Sequence, residues 1–399
     1  RDEPSAVEIF GYHVVDIFVK LEAYLGKNWT DFKPRIIQGR QLAYQNIVGP
    51  FFYSVSKWLG KCLSPARSNF IYDSGLDANE LGEIAMKMFA NYKYVYEVDV
   101  SNWDGSLVPQ WLKFEIWFIE NCIPSKLERW AEIKKHWCKV EGVGKHGVKY
   151  KTTHGRRSGD MWTSCFNSLI NLIILFFIFG ANILAVAKGD DNFFGTNSDM
   201  SVDDIVAMYA KFGMKAKVKR IHHISQLGYC SGMFYPIRRG GWKWGLKPFR
   251  IMAKLGLNLG RHPQKLHKRL LYGTALSMLP IGLHVPVLGD LLQTIVNSGR
   301  ESGLEALIEH EPWKTTSDTI DEADPSAYDY FSGRYNFDFE DIDDLVFACT
   351  YHTRERRLLR LSDFPLVFDD DRFLRGFQID CDVDVIPDVS NVEVIHKEE

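Results

Sequence analysis

Two adjacent carboxylates, Asp190 and Asp191, follow an apolar run in Ile183-Leu-Ala-Val-Ala-Lys-Gly-Asp-Asp-Asn-Phe-Phe-Gly-Thr196. Side by side they repel, and Lys188 is the only near sequence neighbour of opposite sign. A divalent cation with hard oxygen ligands resolves that repulsion. Gly-Asp-Asp is also ordinary turn chemistry, so these three letters alone are a weak signal. A second acidic pair occurs in Asp99-Val-Ser-Asn-Trp-Asp104. Asp99 falls at the end of a strand-like stretch, where a carboxylate can equally serve as a cap. Thr163, Asn167 and Asn171 recur every four residues and give one helical face a polar stripe. Lys33, Arg35 and Arg40 bring three cations into Lys33-Pro-Arg-Ile-Ile-Gln-Gly-Arg40, a set suited to a triphosphate. Lys215, Lys217 and Lys219 alternate with Met214, Ala216 and Val218 and therefore share one strand face. Spacing does not choose among the three lysines.

If these groups converge, they define a reaction. Carboxylates at Asp99, Asp190 and Asp191 around one point can hold two Mg²⁺ ions, which would activate a 3′-hydroxyl and stabilise a leaving pyrophosphate. Asp104, Thr163 and Asn167 can read a ribose 2′-hydroxyl, which both donates and accepts.

Convergence requires particular elements. Ile183–Ala187 reads as a buried strand, Lys188–Asp191 as a turn and Asn192–Thr196 as the returning strand. Tyr92–Val100 reads as the strand that delivers Asp99. Ser158-Gly159 opens a helix that Asp160 can cap. The run Ser168–Ala187 approaches a membrane span in length and apolarity, but Asn171, Gly180 and Asn182 interrupt it, which favours a buried helix followed by a buried strand. Further helices are expected within residues 1–30, over Leu42–Lys61, Leu76–Ala90, Pro109–Cys122 and Ser201–Phe212, and beyond Lys247 over Pro248–Leu257, Lys265–Tyr272 and Leu288–Asn297. Ser201 and Gly213 are the start and stop signals of the Ser201–Phe212 helix. Val140–Gly147 is punctuated by glycine and suggests a hairpin or a loop insertion, and Leu227–Tyr235 reads as a further hairpin.

The 399 residues, 46% of them hydrophobic and 14% aromatic, suit a packed globular protein of two or three domains or one multi-lobed fold. Arg1 in place of Met is the start expected of a fragment, and no secretory signal is visible. Seven scattered cysteines with no Cys-x-x-Cys argue against a disulfide framework or a zinc site and suit a reducing compartment. The net charge of −3 conceals an asymmetry. Residues 301–399 hold 26 acidic against 9 basic residues, so the first 300 are strongly basic. A basic body with an acidic C-terminal segment suits a polyanion-binding protein with a self-shielding or partner-binding tail.

Taken in chain order, these features resemble the palm and fingers of viral RNA-dependent RNA polymerases. Asp99-x4-Asp104 is similar to motif A of that family, and Ser158-Gly159-x3-Thr163-x3-Asn167 to motif B. Gly189-Asp190-Asp191 resembles motif C, Phe212-Gly213-Met214 with its lysine strand motif D, and Gly228-Tyr-Cys-Ser-Gly232 motif E. Lys33-Pro-Arg-Ile-Ile-Gln-Gly-Arg40 resembles motif F. Arg156-x-Ser-Gly-Asp-Met and Pro34-Arg-Ile-Ile-Gln are similar to the tombusvirus- and nodavirus-like positive-strand groups. The motifs cover residues 33–235; six in order are specific where each one is weak. Two departures are the Ala187-Lys188 pair before motif C and Trp162 within motif B.

The resemblance implies an α+β right-hand polymerase with fingers, a palm of antiparallel sheet flanked by helices, and a mostly helical thumb. The expected partition is fingers over 1–93, palm over 94–122, a fingers insertion over 123–155, palm over 156–245, thumb over 246–310 and an acidic extension over 311–399. The N-terminal fingers are short by this reading. The implied activity is template-directed nucleotidyl transfer from ribonucleoside triphosphates for viral genome replication and transcription, with two Mg²⁺ (or Mn²⁺) ions. Asp99, Asp190 and Asp191 would be metal ligands. Lys33, Arg35, Arg40, Asp104, Ser158, Gly159, Thr163 and Asn167 would bind nucleotide, and Cys230 and Ser231 would form the primer grip. Placing Phe212-Gly213 over the family pattern puts its proton-donating lysine nearest Lys217, with Lys215 next. Implied partners are template and nascent RNA, with viral replication proteins and host membranes engaged through regions outside this chain. The implied place is the host cytoplasm, in membrane-associated replication complexes. Two rivals remain at this stage. A reverse transcriptase generally puts a bulky aromatic where Asp104 stands; a membrane-anchored replication scaffold would use Ser168–Ala187.

Overall fold

The computed structural model describes residues 14–20, 35–125, 127, 130–144, 147–252, 254–255, 263–308, 319–340, 342–343 and 346. Lys33 and the acidic runs Asp369–Asp371 and Asp380–Asp388 lie outside the described residues. The described residues divide into two compact units, one holding those of 14–20, 35–76 and 87–223, the other those of 77–86 and 224–346.

The first unit carries two sheets. One has the order β2-β1-β5-β6, from strands β1 (Val14–Val19), β2 (Ile36–Arg40), β5 (Val140–Gly144) and β6 (Lys149–Thr152). The other has the order β3-β7-β8-β4-β9, from β3 (Phe70–Tyr72), β4 (Tyr94–Ser101), β7 (Ile183–Lys188), β8 (Asp191–Thr196) and β9 (Lys215–Ile221). In this sheet β3 runs parallel to β7, and the β7–β8, β8–β4 and β4–β9 pairs are antiparallel. Val98, Val100, Ala185, Ala187 and Phe194 from this sheet share one core with Leu169, Ile170 and Leu172 of the Thr163–Phe179 helix. Every residue from Ile183 to Ala187 is buried, which is why β7 reads as an unbroken apolar run without alternation.

The helix expected within residues 1–30 is corrected where it is described: Val14–Val19 is a strand. It pairs antiparallel with β2, Val15 against Arg40, and parallel with β5, Val14 against Glu141. Its β-branched valines and isoleucine suit a pleated ribbon, and this long-range pairing overrides the helical spacing. Strand β3 was not foreseen, three residues being too few for periodicity to register. The expected helices at 42–61, 76–90, 109–122 and 201–212 are found at Leu42–Cys62, Ala78–Asn91, Pro109–Asn121 and Val202–Lys211. Ser201 does cap the last of these, accepting from the Asp204 N–H at 3.1 Å.

Among the described residues no helix is long and apolar enough to cross a membrane. The Ser168–Ala187 run divides at Gly180, whose φ of 70° ends the helix before β7 begins.

In the second unit β10 (Gly228–Tyr229), β11 (Gly232–Pro236) and β12 (Trp242–Leu246) form an antiparallel meander. Helices follow at Pro248–Met252, His267–Gly282, Leu288–Glu301 and Ser326–Tyr335. The second of these was expected over Lys265–Tyr272 and continues through Pro280 to Gly282. Strand β12 and the Ser326–Tyr335 helix were not anticipated. A core of Met233, Tyr235, Phe249, Leu279, Leu292 and Phe331 joins meander and helices.

Candidate active site

Gly189 and Asp190 form a two-residue turn between β7 and β8, because Lys188 pairs directly with Asp191. Gly189 has φ 66°, a left-handed value at the first turn position that glycine meets without strain. The turn is held from below by the Thr163–Phe179 helix. Ser168 Oγ accepts from the Gly189 N–H at 2.7 Å. The Asn171 amide donates to the carbonyls of Gly189 at 3.3 Å and Asp190 at 3.2 Å. Asn192 Nδ2 in turn donates to Asn171 Oδ1 at 2.8 Å. In the sequence Asn171 stands out as part of a polar stripe and as a break in an apolar run, while Ser168 and Asn192 carry no mark of a role. For Asn171 the signal was present, since amides at the buried face of an apolar helix must find partners. Lys188 does not offset Asp190: its ammonium pairs with Asp73 at 3.2 Å.

Asp99 sits near the end of β4, and the β4–β8 ladder stops at Val98 opposite Asn192. The next step along both strands is Asp99 and Asp191. Asp190 is solvent-facing yet crowded enough that desolvation raises its pKa, and the charge of Asp99 raises it further. Arg35, exposed just before β2, acts on Asp190 in the opposite sense. The triphosphate cation expected at position 35 is thus electrostatically coupled to the turn.

Arg40, expected among the triphosphate cations, is buried. It is 3% exposed, its Nε donates to Asp160 Oδ1 at 2.7 Å, and its guanidinium lies over Tyr44, 5.0 Å from the ring centroid. Its charge is taken up by this buried ion pair, which argues against direct contact with a triphosphate. Asp160, expected as a helix cap, is spent on this ion pair instead; the Thr163–Phe179 helix begins after Trp162 with no side-chain cap. The pair fastens β2 to the loop before the helix, and neighbouring bonds reinforce it. Gln38 N–H donates to Ser158 Oγ at 3.3 Å, and Gly159 N–H donates to the Gln38 carbonyl at 3.1 Å. A Cβ on Gly159 would stand 2.5 Å from that carbonyl oxygen, so only glycine permits the approach. Ser158 and Gly159 thus serve the loop's anchorage here. Thr163 likewise donates its hydroxyl to the Arg157 carbonyl at 2.9 Å.

Asn102, at φ 54°, turns the chain out of β4 into the one-turn helix Trp103–Ser106 that carries Asp104. Asn167 Nδ2 donates to Asp104 Oδ1 at 3.4 Å. Burial pushes the Asp104 carboxyl above its ordinary value, Arg156 and Asn167 pull it back, and the charge of Asp190 adds to the rise. Asp99, Asp190 and Asp104 therefore form one electrostatically connected group. Of the residues expected to read ribose, Asp104 and Asn167 are brought together.

The donor set Asp99, Asp190 and Asp191 is all carboxylate oxygen, as hard dications require. Among the described residues no group of three or more His, Cys, Asp or Glu stands ready to hold a metal. Two carboxylates suffice for Mg²⁺, which usually keeps several waters and takes further oxygens from substrate phosphates. The residues present fit such an ion.

Cys230 and Ser231 lie in the other unit as the two central residues of the β10–β11 hairpin, with Tyr229 opposite Gly232. Both have positive φ, 48° and 60°, the pattern of a tight hairpin turn usually filled by Asn or Gly.

No curated protein matches the chain. Residues 69–250, the span carrying Asp99, Asp104, Asn167 and the Gly189–Asp191 turn, match the family model described as viral RNA-dependent RNA polymerase.

Proposed function

We propose that the chain is an RNA-directed RNA polymerase whose reaction is centred on Asp99 and Asp190. The observation that carries this reading is the register that sets the end of β4, at Asp99, beside the Asp190–Asp191 turn, which a buried helix clamps. Nucleotidyl transfer joins the 3′-oxygen of the growing RNA to the α-phosphorus of a ribonucleoside triphosphate. The bond from that phosphorus to its bridging oxygen breaks, and pyrophosphate leaves. Asp99 and Asp190, with Asp191 in support, would hold Mg²⁺ or Mn²⁺, which would supply Lewis-acid stabilisation of the negative charge that develops in this transfer.

The chain's own residues do the rest. Asn171 and Ser168 fix the turn so that Asp190 needs little reorganisation. Arg35 offers a cation beside the turn for the triphosphate. Asp104 and Asn167 meet the 2′-hydroxyl, which can donate to the carboxylate and accept from the amide. This pairing supports ribonucleotides over a reverse-transcriptase reading. The basic first 300 residues supply RNA affinity. The Arg156-x-Ser-Gly-Asp-Met sequence supports placement near the tombusvirus- and nodavirus-like groups, with fingers, palm and thumb divided as the motifs suggest. Replication in the host cytoplasm, within membrane-associated complexes and with other viral proteins, follows from that placement.

The test is primer extension by purified protein on a short RNA template with Mg²⁺ or Mn²⁺. Asp190→Ala should abolish most extension while RNA binding survives. Wild-type turnover by Asp190→Ala would refute the assignment.

A further inference from the structure

Arg156 touches both members of the pair that faces the ribose. Its backbone N–H donates to the Asp104 carbonyl at 2.7 Å. Its Nε donates to Asn167 Oδ1 at 2.9 Å. Its remaining nitrogens grip Glu115, Nη1 donating to Oε2 at 3.2 Å and Nη2 to Oε1. Glu115 is 0% exposed and also accepts from Trp137 Nε1 at 2.9 Å. We propose that the buried Glu115–Arg156 pair sets sugar selectivity, by fixing which end of the Asn167 amide faces Asp104. The proposal rests on the ribose-reading role given above to Asp104 and Asn167.

A carboxamide presents a donor at one end and an acceptor at the other, and the two ends are nearly isosteric. Arg has donors only, so Arg156 Nε can engage only the Asn167 oxygen. The Asn167 NH₂ must then face Asp104, where it meets an acceptor. Reversed, the amide would set its oxygen against a carboxylate, and a 2′-hydroxyl would find two acceptors and no donor. At 3.4 Å the Asn167–Asp104 contact is long, and a hydroxyl beside it can bridge the donor and the acceptor. Glu115 holds the guanidinium plane by a fork-on-fork contact, a geometry lysine cannot reproduce. A buried ion pair is not in itself strong support for stability, because apolar residues of similar volume often replace one without loss. Orientation is what this pair contributes beyond packing. Sequence reasoning used Arg156 only as a motif letter and did not single out Glu115, which lies 41 residues away and reaches Arg156 only through the fold.

The experiment measures kcat/KM for a ribonucleotide and its 2′-deoxy counterpart in single-nucleotide incorporation. Arg156→Lys should lower the ribo-to-deoxyribo ratio about 10-fold, the scale of one hydrogen bond. The double variant Glu115→Leu with Arg156→Met, which removes both charges and retains bulk, should lower it similarly and guards against misfolding of the single change. On an Asn167→Ala background Arg156→Lys should have no further effect on the ratio; a further fall there would show that Arg156 acts by another route than the Asn167 amide and would overturn the proposal. Asp104→Ala separates the two levels of the argument. If it shifts the ratio while the Arg156 and Glu115 variants do not, the present proposal fails and the ribose reading stands. If Asp104→Ala leaves the ratio unmoved, the ribose reading fails and this proposal with it.

Discussion

Asp99 and Lys217 stand directly opposite each other in the antiparallel β4–β9 ladder. Opposed residues leave the sheet on the same face, so Lys217 projects on the side of the carboxylate we assign to the metal. Its neighbours do not share that position. Lys215 stands opposite Ser101, and Lys219 stands opposite Glu97, with which it pairs at 3.5 Å. The register thus favours Lys217 where spacing left three lysines open. If Lys217 protonates the leaving pyrophosphate, Lys217→Leu should slow the maximal rate of incorporation by roughly 10²–10⁴-fold with nucleotide affinity little changed. Pre-steady-state incorporation at saturating RNA and nucleotide measures this. If weakened RNA affinity with a flatter salt dependence is seen instead, Lys217 only tracks phosphate.

Asn171 is expected to matter for the turn and not for nucleotide contact. Asn171→Leu removes the donor to the Gly189 and Asp190 carbonyls and the acceptor for Asn192. Stranding these polar groups should cost about 1–3 kcal/mol in urea unfolding. A magnesium titration of primer extension should also shift to higher concentration. An unmoved half-saturation point would mean that the hairpin keeps its shape unaided.

Arg40 should behave as a structural residue. Arg40→Met leaves Asp160 buried without its cation, which typically costs about 3–5 kcal/mol. The double variant with Asp160→Leu should recover most of that loss, as apolar replacement of a buried pair often does. Denaturant midpoints check both. Full stability of Arg40→Met with sharply weakened triphosphate binding would restore the nucleotide-binding role that its burial argues against.

His284 gives the second unit a pH dependence. Burial is the main cause that lowers its pKa from 6.5 to about 3, with the Lys243 charge adding to the fall and a bond to the Trp244 carbonyl and the Asp321 charge opposing it. Between these values the unfolded chain binds a proton that the fold excludes, so stability rises with pH across that window and levels off above it. The slope contributed is at most about 1.4 kcal/mol per pH unit. His284→Gln should flatten the rise in thermal midpoint between about 3 and the ordinary histidine value of 6.5. An identical slope in the variant would locate the titration elsewhere.

The sequence by itself determined the local features. The Ile183–Thr196 hairpin follows from an apolar run, a glycine and a return, and the structure places its turn at Gly189–Asp190. The exposed face of Lys215, Lys217 and Lys219 follows from strict alternation, a property of the strand's period of two. Of the carboxylates singled out by type and spacing, Asp99, Asp104, Asp190 and Asp191, the first three are electrostatically connected. Only the tertiary structure decided which polar groups face the site and which hold it together. Arg35 and Arg40 are alike in sequence, yet one is exposed and the other is sealed against Asp160, a partner 120 residues away. Val14–Val19 carries helical spacing and becomes a strand because β2 and β5 offer it ladders on both edges. Glu115, Ser168 and Asn192 gain their roles only through distant partners. Periodicity and propensity are local, whereas satisfying a buried charge or amide depends on which groups folding brings within about 3 Å.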